Sequence, residues 1–235
     1  MKVENHPIIL NIETSTSICS VSVNQEFNCI FSVSDLQGQN HAALLSVFID
    51  KALRAIKPYA EKPDAVAVSA GPGSYTGLRI GVATAKGLCF GFNIPLIAID
   101  TLQIMTVPAL QKVKTLDEKI LFCPMIDARR MEVYDALYQH NGTIFRNTKA
   151  EIITENSFED VLKVKKIYFF GNGAEKCKNI FTHPNACFLE NINPLAENMC
   201  ALACDSFFNR KFVDTAYFEP FYLKEFQATK AKNIF

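Results

Sequence analysis

The segment "SAGPGSYTGLRIG", residues 69–81, is the first place in this chain where residue types and spacing could do chemistry. It contains four glycines and one proline in thirteen residues and follows the apolar run 65–70. A glycine loop between a strand and a helix exposes backbone N–H groups at the positive end of the helix dipole, where nucleotide phosphates bind. The segment therefore raises the question of a phosphate site.

The patterns of known phosphate loops do not fit this segment. The Walker pattern requires Gly-Lys-Ser/Thr at the helix start, but Gly77 is followed by Leu78 and Arg79. The dinucleotide pattern G-x-G-x-x-G requires glycine at position 76, where the chain has Thr76. Because Asp100 ends the next strand, about where a ribose-binding acid belongs, dinucleotide binding stays open as an alternative.

Small residues in the predicted helix 77–92 favour a packing role for the glycines. They form two stripes on different sides of the helix axis: Gly77, Gly81 and Ala85, and Ala83, Gly87 and Gly91. Each glycine costs about 1 kcal/mol relative to alanine in a helix, and close packing on two sides would offset that cost. We expect one side to contact the chain's own sheet and the other a neighbouring helix or another protein, with Arg79 and Lys86 as the polar edge. A helix buried wholly within its own chain stays open.

Acidic residues end the first predicted strand of each half of the chain. Glu13 is followed by Thr14 and Ser15 in "IETSTS", and Asp127 lies in "MIDARRMEV". An actin-like ATPase has an acidic residue and a glycine-containing phosphate turn at this place, but neither turn here contains glycine. Two carboxylates facing each other across a cleft would have no evident reaction to assist. We therefore predict a vestigial nucleotide cleft at most, favour structural turns, and predict no catalytic residue.

Composition argues against several other kinds of site. The eight cysteines are scattered and the four histidines lie far apart, which predicts free thiols and no metal site. Basic and acidic residues each number 24, and a formal net charge of zero argues against strong autonomous binding to nucleic acid. No apolar run reaches the roughly 18 residues of a membrane span, and the start lacks the apolar stretch of a signal peptide. We expect a soluble, cytoplasmic protein without membrane contact.

Hydrophobic periodicity predicts an α/β scaffold for these residues. The first hundred residues predict three strands, an amphipathic helix at 40–57, a strand, the helix 77–92 and a strand. The second half repeats the order less clearly, with a weak helix around 158–163 and a last helix from Pro194 to about Phe208. Its strands are predicted at 120–128, 132–139, 142–153 and 166–173.

The repeated order predicts a duplicated ribonuclease-H-like fold of the actin-like ATPase superfamily. We expect two lobes, each with helices and a mixed five-stranded sheet. The first actin-like lobe is predicted to span residues 1–103, and the second lobe with a C-terminal tail residues 104–235. This step is an analogy of fold and does not fix the function.

Four segments carry a resemblance to a known family: "ILNIETSTSICSVSV", "DAVAVSAGPGSYTGLRIGVATAKGLCFGFNIPLIAIDTL", "MIDARRMEVYDALY" and "EPFYLKE". In this order and at this spacing they resemble the TsaB family, also called YeaZ, over almost the whole chain. Two departures stand out. Glu13 occupies a position where many relatives have Asp, and "NHAALL" (40–45) replaces a common His-Ser-Glu helix start.

The resemblance implies a non-catalytic subunit that helps to transfer a threonylcarbamoyl group to the adenosine next to the anticodon of tRNAs. It implies a TsaD-type catalytic paralogue as partner, a TsaE-type ATPase as a third component, and a homodimer when the chain is alone. tRNA would be contacted only through the complex. The chain itself would hold no cofactor, while a nucleotide at the junction between subunits stays open.

In the family the partner contact uses two helices, which here are 40–57 and 77–92. Together with the small-residue stripes, this predicts the following interface: Leu44, Leu45, Phe48, Gly77, Arg79, Gly81, Val82, Ala85 and Lys86. The alternative function is an independent actin-like kinase or ATPase that uses the cleft around Thr14, Ser15 and Asp127.

Overall fold

The first half of the chain forms a mixed five-stranded sheet. The computed structural model describes residues 6–38 and 40–223. The strands of the first sheet are β1 (Ile8–Glu13), β2 (Cys19–Gln25), β3 (Asn28–Asp35), β4 (Ala65–Ser69) and β5 (Leu96–Ile99). Their order is β3-β2-β1-β4-β5, with β1, β4 and β5 parallel and β2 antiparallel to both of its neighbours.

Two helices cover one face of this sheet, as the sequence predicts. They are α1 (His41–Ile56) and α2 (Tyr75–Phe92). The Ser74 side chain caps α2 by accepting a hydrogen bond from the Gly77 backbone N–H. After Phe92 the capping residue Asn93 adopts the left-handed conformation common at helix ends. The buried stripe of α1 and the buried side of α2 share one hydrophobic core with β1 and β2.

The second half repeats the same sheet. Its strands are β6 (Ile120–Asp127), β7 (Glu132–Gln139), β8 (Ile144–Ile152), β9 (Lys166–Phe170) and β10 (Ala186–Leu189). The order β10-β9-β6-β7-β8 is that of the first sheet, with β6, β9 and β10 parallel. This repetition is the duplicated ribonuclease-H-like fold, so the predicted fold class is confirmed.

Helices of the second half differ in part from the sequence prediction. The weak helix predicted around 158–163 is present as the four-residue α4 (Glu159–Leu162). A 3-10 turn over Ala196–Met199 precedes the last helix, α5 (Cys200–Phe208), which therefore begins six residues later than the predicted start at Pro194. Between the two sheets lies α3 (Thr101–Val113), for which the sequence analysis made no prediction.

Two helices pack across the division between the halves of the chain. One face of α3 packs on the second sheet through Leu102, Met105 and Ala109. In contrast, α5 and the turn before it pack on the first sheet through Met199 and Ala203. The predicted boundary at 103/104 falls inside α3, so the division by chain position stays a prediction and does not coincide with the division by sheet.

The segment that follows α5 returns to the first lobe. Val213 forms an isolated bridge with Leu96 at the sheet edge, and the Phe221 N–H donates to the Ala70 carbonyl at 2.7 Å. The predicted C-terminal tail beyond residue 223 lies outside the described residues. Within the described part of the chain, no helix combines the length and the apolar character needed to cross a bilayer.

Candidate functional site

The glycine loop lies directly on the turn that follows β1. A Cβ atom at Gly73 would overlap the Ser15 carbonyl oxygen, and one at Gly77 would overlap the Thr14 carbonyl oxygen. Hydrogen bonds hold the two segments together: the Ser74 N–H donates to the Ser15 carbonyl at 2.6 Å, and the Thr14 hydroxyl donates to the Gly77 carbonyl at 2.8 Å. The glycines thus permit close contact between two backbones of the same chain.

This contact closes the place where a phosphate would sit. Thr14 and Ser15 are fully buried, so neither hydroxyl is presented to solvent. The Ser74 N–H and the Gly77 N–H, two donors at the start of α2, are already bonded within the chain. A phosphate would need such donors to be free and aimed at an open space. The structure therefore supports the packing interpretation of the loop.

Glu13 is buried inside this closed turn. One carboxylate oxygen accepts a hydrogen bond from the Ser15 N–H at 2.5 Å, and the side chain has no solvent exposure. Burial raises the pKa of Glu13 from 4.5 to about 7, against the opposing effect of hydrogen bonds from Ser15 and Ser69. A carboxyl group without solvent contact is poorly suited to hold a hydrated metal ion or to exchange protons with a substrate.

Asp127, the counterpart of Glu13 in the second lobe, is tied to its own loop. Its carboxylate pairs with the Lys176 ammonium and accepts from the Arg129 N–H at 2.9 Å. The same ammonium donates to the Arg130 carbonyl at 2.8 Å. In residues 6–38 and 40–223, no hydrogen bond or ion pair joins Asp127 to Glu13, Thr14 or Ser15.

Two further kinds of site concern residues 6–38 and 40–223, a metal centre and a surface groove. Across the described ranges, no group of three or more His, Cys, Asp or Glu side chains is arranged to hold a metal. A groove of about 350 Å³ lies beside the Gly171–Ala174 loop of the second lobe. Its cation, Lys178, is already paired with Glu175 and Glu190 at 2.9 Å each, so it is not free to bind a phosphate.

Most of the predicted interface residues lie inside the first lobe. The buried ones are Leu45, Phe48, Gly77, Gly81, Val82 and Ala85. Gly81 faces the Thr14 side chain so closely that a Cβ atom there would overlap its hydroxyl. These six residues shape the helices from within, and Leu44 is half-buried against the same core. Within the chain the first stripe contacts the turn after β1, and its contact with a partner stays a prediction.

Arg79 and Lys86 hold the chain's own C-terminal segment. The Lys86 ammonium donates to the carbonyls of Ala216 at 2.9 Å and Phe218 at 3.1 Å. Arg79 donates to the Tyr222 hydroxyl at 3.4 Å, and its guanidinium lies 4.0 Å from the Tyr75 ring centre. The sequence predicted Arg79 and Lys86 as the polar edge of the helix and as interface residues, and it gave no signal for this internal contact.

The second stripe of small residues is the outward face of α2. Ala83, Gly87 and Gly91 are exposed, and a Cβ atom at Gly87 or Gly91 would meet nothing within 4 Å. Phe90 stands on the same face with 89% of its side chain exposed. Val47, 47% exposed, lies on the neighbouring α1. The sequence signal for this face was the second stripe itself, which the predicted residue set did not include.

The fold and the closed turn define a two-lobed ribonuclease-H-like protein of the actin-like superfamily whose turn after β1 is packed against its own glycine loop. The family model for TsaD, described as tRNA N6-adenosine threonylcarbamoyltransferase, matches residues 33–232. A protein of Buchnera aphidicola subsp. Schizaphis graminum named "tRNA threonylcarbamoyladenosine biosynthesis protein TsaB" is 34% identical over 73% of this chain and 81% of its own length. The chain belongs to the TsaB family, also called YeaZ.

Further relatives agree over nearly the full length. A TsaB protein of Escherichia coli (strain K12) is 29% identical over 94% of this chain and 96% of its own length. Among solved structures, YeaZ from Pseudomonas aeruginosa superposes with a TM-score of 0.78 at 25% identity and covers 92% of this chain and 100% of its own. The family predicted from the sequence motifs is thereby confirmed.

Proposed function

We propose that this chain is a non-catalytic scaffold subunit in the biosynthesis of threonylcarbamoyladenosine on tRNA. Its curated relatives are named as biosynthesis proteins for this nucleoside, and the matching family model describes the transferase itself. In this proposal the chain pairs with a TsaD-type catalytic paralogue, and a TsaE-type ATPase joins the complex. When the paralogue is absent, the chain forms a homodimer through the surface that otherwise binds the paralogue.

The closed turn supports the non-catalytic part of the proposal. The backbone positions that an actin-like ATPase uses for phosphate are occupied here by contacts between Gly73 and Ser15 and between Gly77 and Thr14. No acid, base or nucleophile stands free at this place, because Glu13 is fully buried. Since its hydrophobic core is intact, the first lobe can still contribute a binding surface to the complex.

The contrast between the two faces of α2 is the observation that carries the proposal. Its inner face, with Gly77 and Gly81, is filled by the chain itself, whereas its outer face is open at Gly87 and Gly91. An exposed phenylalanine beside an open strip of backbone suits close packing by a helix of another protein. We call this outer face, formed by Ile80, Ala83, Gly87, Phe90 and Gly91, the α2 docking face.

The charge balance fits a role in which tRNA is reached through the partner. A formal net charge of zero lacks the basic excess that is typical of proteins that bind nucleic acid strongly by themselves. In the complex, the paralogue therefore supplies the tRNA contact and the chemistry. A nucleotide at the junction of the two proteins is compatible with this arrangement, because its binding site would be formed by residues of both proteins together.

Reconstitution tests the proposal. The TsaD-type paralogue, the TsaE-type ATPase, ATP, tRNA and the threonylcarbamoyl adenylate donor are mixed with and without this chain, and modified adenosine is measured by mass spectrometry of digested tRNA. We expect modification only when the chain is present. Modification at an equal rate without the chain would contradict a required scaffold.

Calorimetry distinguishes the scaffold from an independent kinase or ATPase. The isolated chain is titrated with ATP and magnesium. Burial of Thr14 and Ser15 predicts no binding at micromolar ATP and no turnover. Micromolar binding with turnover by the isolated chain would favour the enzyme.

A further inference from the structure

A short turn after α5 presents a tyrosine side chain to solvent. Tyr217 is 85% exposed, and among the large apolar and aromatic side chains of the described residues the one aromatic ring with greater exposure is Phe90. A single exposed aromatic residue is common on protein surfaces, so exposure alone assigns no role to Tyr217. What distinguishes this tyrosine is the way its backbone is held.

Hydrogen bonds fix the backbone on both sides of Tyr217. The Asp214 carboxylate accepts from the N–H groups of Ala216 at 2.8 Å and Tyr217 at 3.1 Å. The Phe218 N–H donates to the Asp214 carbonyl at 2.8 Å, which closes the turn. The Lys86 ammonium donates to the carbonyls of Ala216 at 2.9 Å and Phe218 at 3.1 Å, the two neighbours of Tyr217. The exposed ring therefore stands on a braced turn.

Lys86 places this turn beside the α2 docking face. On α2 it precedes Gly87 directly and lies four residues before Phe90. Residues four apart are neighbours on a helix surface, so Lys86 and Phe90 lie side by side. Because the same ammonium holds the backbone around Tyr217, the turn 214–218 lies along the edge of the docking face. The two exposed aromatic residues, Phe90 and Tyr217, thus flank one lysine.

The geometry suits a helix that is seated on the docking face. A helix with its side chains is about 10 Å wide, so one that packs over Gly87 and Gly91 extends past the edge of α2 on which Lys86 lies. Tyrosine is enriched among the residues that dominate binding energy, because its ring packs on apolar groups while its hydroxyl reaches the wet rim. A ring on a fixed backbone also loses little conformational freedom on binding.

We propose that Tyr217 is an anchor residue for the catalytic paralogue and that Asp214 is the positioning residue that holds it. A helix of the paralogue packs on Gly87 and Gly91, and apolar side chains of that helix pack against the rings of Phe90 and Tyr217. The partner is the one in the proposed function, on which this inference rests. The contact thereby includes the C-terminal segment as well as α2.

Calorimetric titration with the purified paralogue tests the anchor. Tyr217→Ala should bind at least about tenfold more weakly than the wild type, while Tyr217→Phe, which keeps the ring, should stay within about threefold. Leu116→Ala is the matched control, because Leu116 is 88% exposed and lies in the loop after α3. It should bind with wild-type affinity. All three variants change exposed side chains, so they should unfold at the wild-type temperature.

A double-mutant cycle tests the positioning role of Asp214. Asp214→Ala removes the acceptor of the Ala216 and Tyr217 N–H groups and should weaken binding in the wild-type background. In the Tyr217→Ala background the same change should have no further effect, because there is no ring left to position. Equal losses of affinity in both backgrounds would contradict the positioning role.

Hydroxyl-radical footprinting of the wild-type chain needs no variant, so it decides the question even if a variant fails to fold. Oxidation of each residue is measured by mass spectrometry with and without saturating paralogue. We expect the oxidation rate of Tyr217 to fall in the complex while that of Leu116 stays unchanged. An unchanged rate at Tyr217 in the complex would overturn the inference.

The results separate this inference from the proposed function. If Gly87→Leu weakens binding and Tyr217→Ala does not, the anchor is wrong and the proposed function stands. If Tyr217→Ala weakens binding and Gly87→Leu does not, the α2 docking face is wrong and Tyr217 remains a contact. Absence of binding by the wild-type chain would contradict both.

Discussion

At the scale of single residues, the carboxyl group at the end of β1 has no contact with water. Glu13 is held by the Ser15 N–H inside the turn that the glycine loop covers. Desolvation favours its neutral form, so the residue that would face a nucleotide in an actin-like ATPase is an interior side chain here. Sequence reasoning found the position and its loss of glycine, but not the burial, because burial depends on how closely residues 71–77 approach.

We expect Glu13→Gln to be more stable than the wild type at high pH. The folded-state pKa is about 7 and the ordinary value is 4.5, so between these pH values the folded state holds a proton that the unfolded state releases. The stabilising contribution of this group is complete below the lower pKa and is lost as pH rises through the higher one. Glutamine stays neutral and can still accept from the Ser15 N–H.

Urea unfolding of both proteins across this range measures the effect. The stability difference in favour of Glu13→Gln should grow by up to about 3 kcal/mol between about pH 4.5 and about pH 8. Parallel pH profiles of the two proteins would show that Glu13 does not titrate as its burial predicts.

At the scale of elements, α2 is a helix with two glycine-containing faces in opposite environments. Its inner glycines are enclosed by the turn after β1, and its outer glycines face open space. The two stripes look alike in sequence, because small residues do not reveal which face of the helix packs against the chain itself. In the structure, a Cβ atom added to a glycine of the inner stripe would overlap atoms of the turn after β1. A Cβ atom added to a glycine of the outer stripe would meet no atom within 4 Å.

A matched pair of alanine substitutions tests this contrast. Gly77→Ala should destabilise the chain by about 1–3 kcal/mol, because the new Cβ atom overlaps the Thr14 carbonyl oxygen. Gly87→Ala should stabilise it by about 1 kcal/mol, because alanine favours the helix and meets no neighbour. Thermal unfolding of both variants is the measurement. Shifts of the same sign would contradict the assignment of the two faces.

The C-terminal segment depends on Lys86 for its attachment to α2. Lys86→Met keeps the aliphatic stem but removes both hydrogen bonds to the Ala216 and Phe218 carbonyls. Hydrogen exchange should therefore accelerate at the Phe221 amide, which is bonded to Ala70, while the core strands keep their protection. Lys57→Met, at the exposed end of α1, is the control. Unchanged exchange at Phe221 in Lys86→Met would contradict the attachment.

At the scale of the whole molecule, the duplication was predictable and the crossing of helices between lobes was not. Alternation and amphipathic spacing predicted most strands along the chain and the first two helices, whereas the order of the strands within each sheet is seen only in the structure. In contrast, α3 contains Pro108 and is buried on two sides, with Ile104 on the first-lobe core and Met105 on the second. A helix without one apolar stripe gives no clear periodic signal. The one sequence signal for the start of α3 was Asp100, whose carboxylate caps the helix by accepting from the backbone N–H groups of Leu102 and Gln103.

The crossing of helices explains how two lobes remain one unit while one face of α2 stays open. Because α3 and α5 each bury apolar residues on the other half's sheet, the lobes do not need α2 to hold them together. The α2 docking face is therefore available to another protein, and its glycines have a reason to remain in an exposed helix at a cost to stability. This assignment of α2 is the central claim.

Binding of a Gly87→Leu variant to the TsaD-type paralogue tests that claim most directly. A Cβ atom at this exposed position meets no atom of its own chain within 4 Å, and leucine favours a helix more than glycine does, so the variant should fold and unfold at a temperature no lower than that of the wild type. Ala201→Leu, which adds the same side chain at an exposed position of α5, is the matched control. Isothermal titration calorimetry with the purified paralogue should give at least a hundredfold weaker binding for Gly87→Leu and wild-type affinity for Ala201→Leu, since a leucine wedged between closely packed helices costs about 3 kcal/mol or more. Wild-type affinity of a folded Gly87→Leu protein would contradict the claim that this face of α2 binds the catalytic partner.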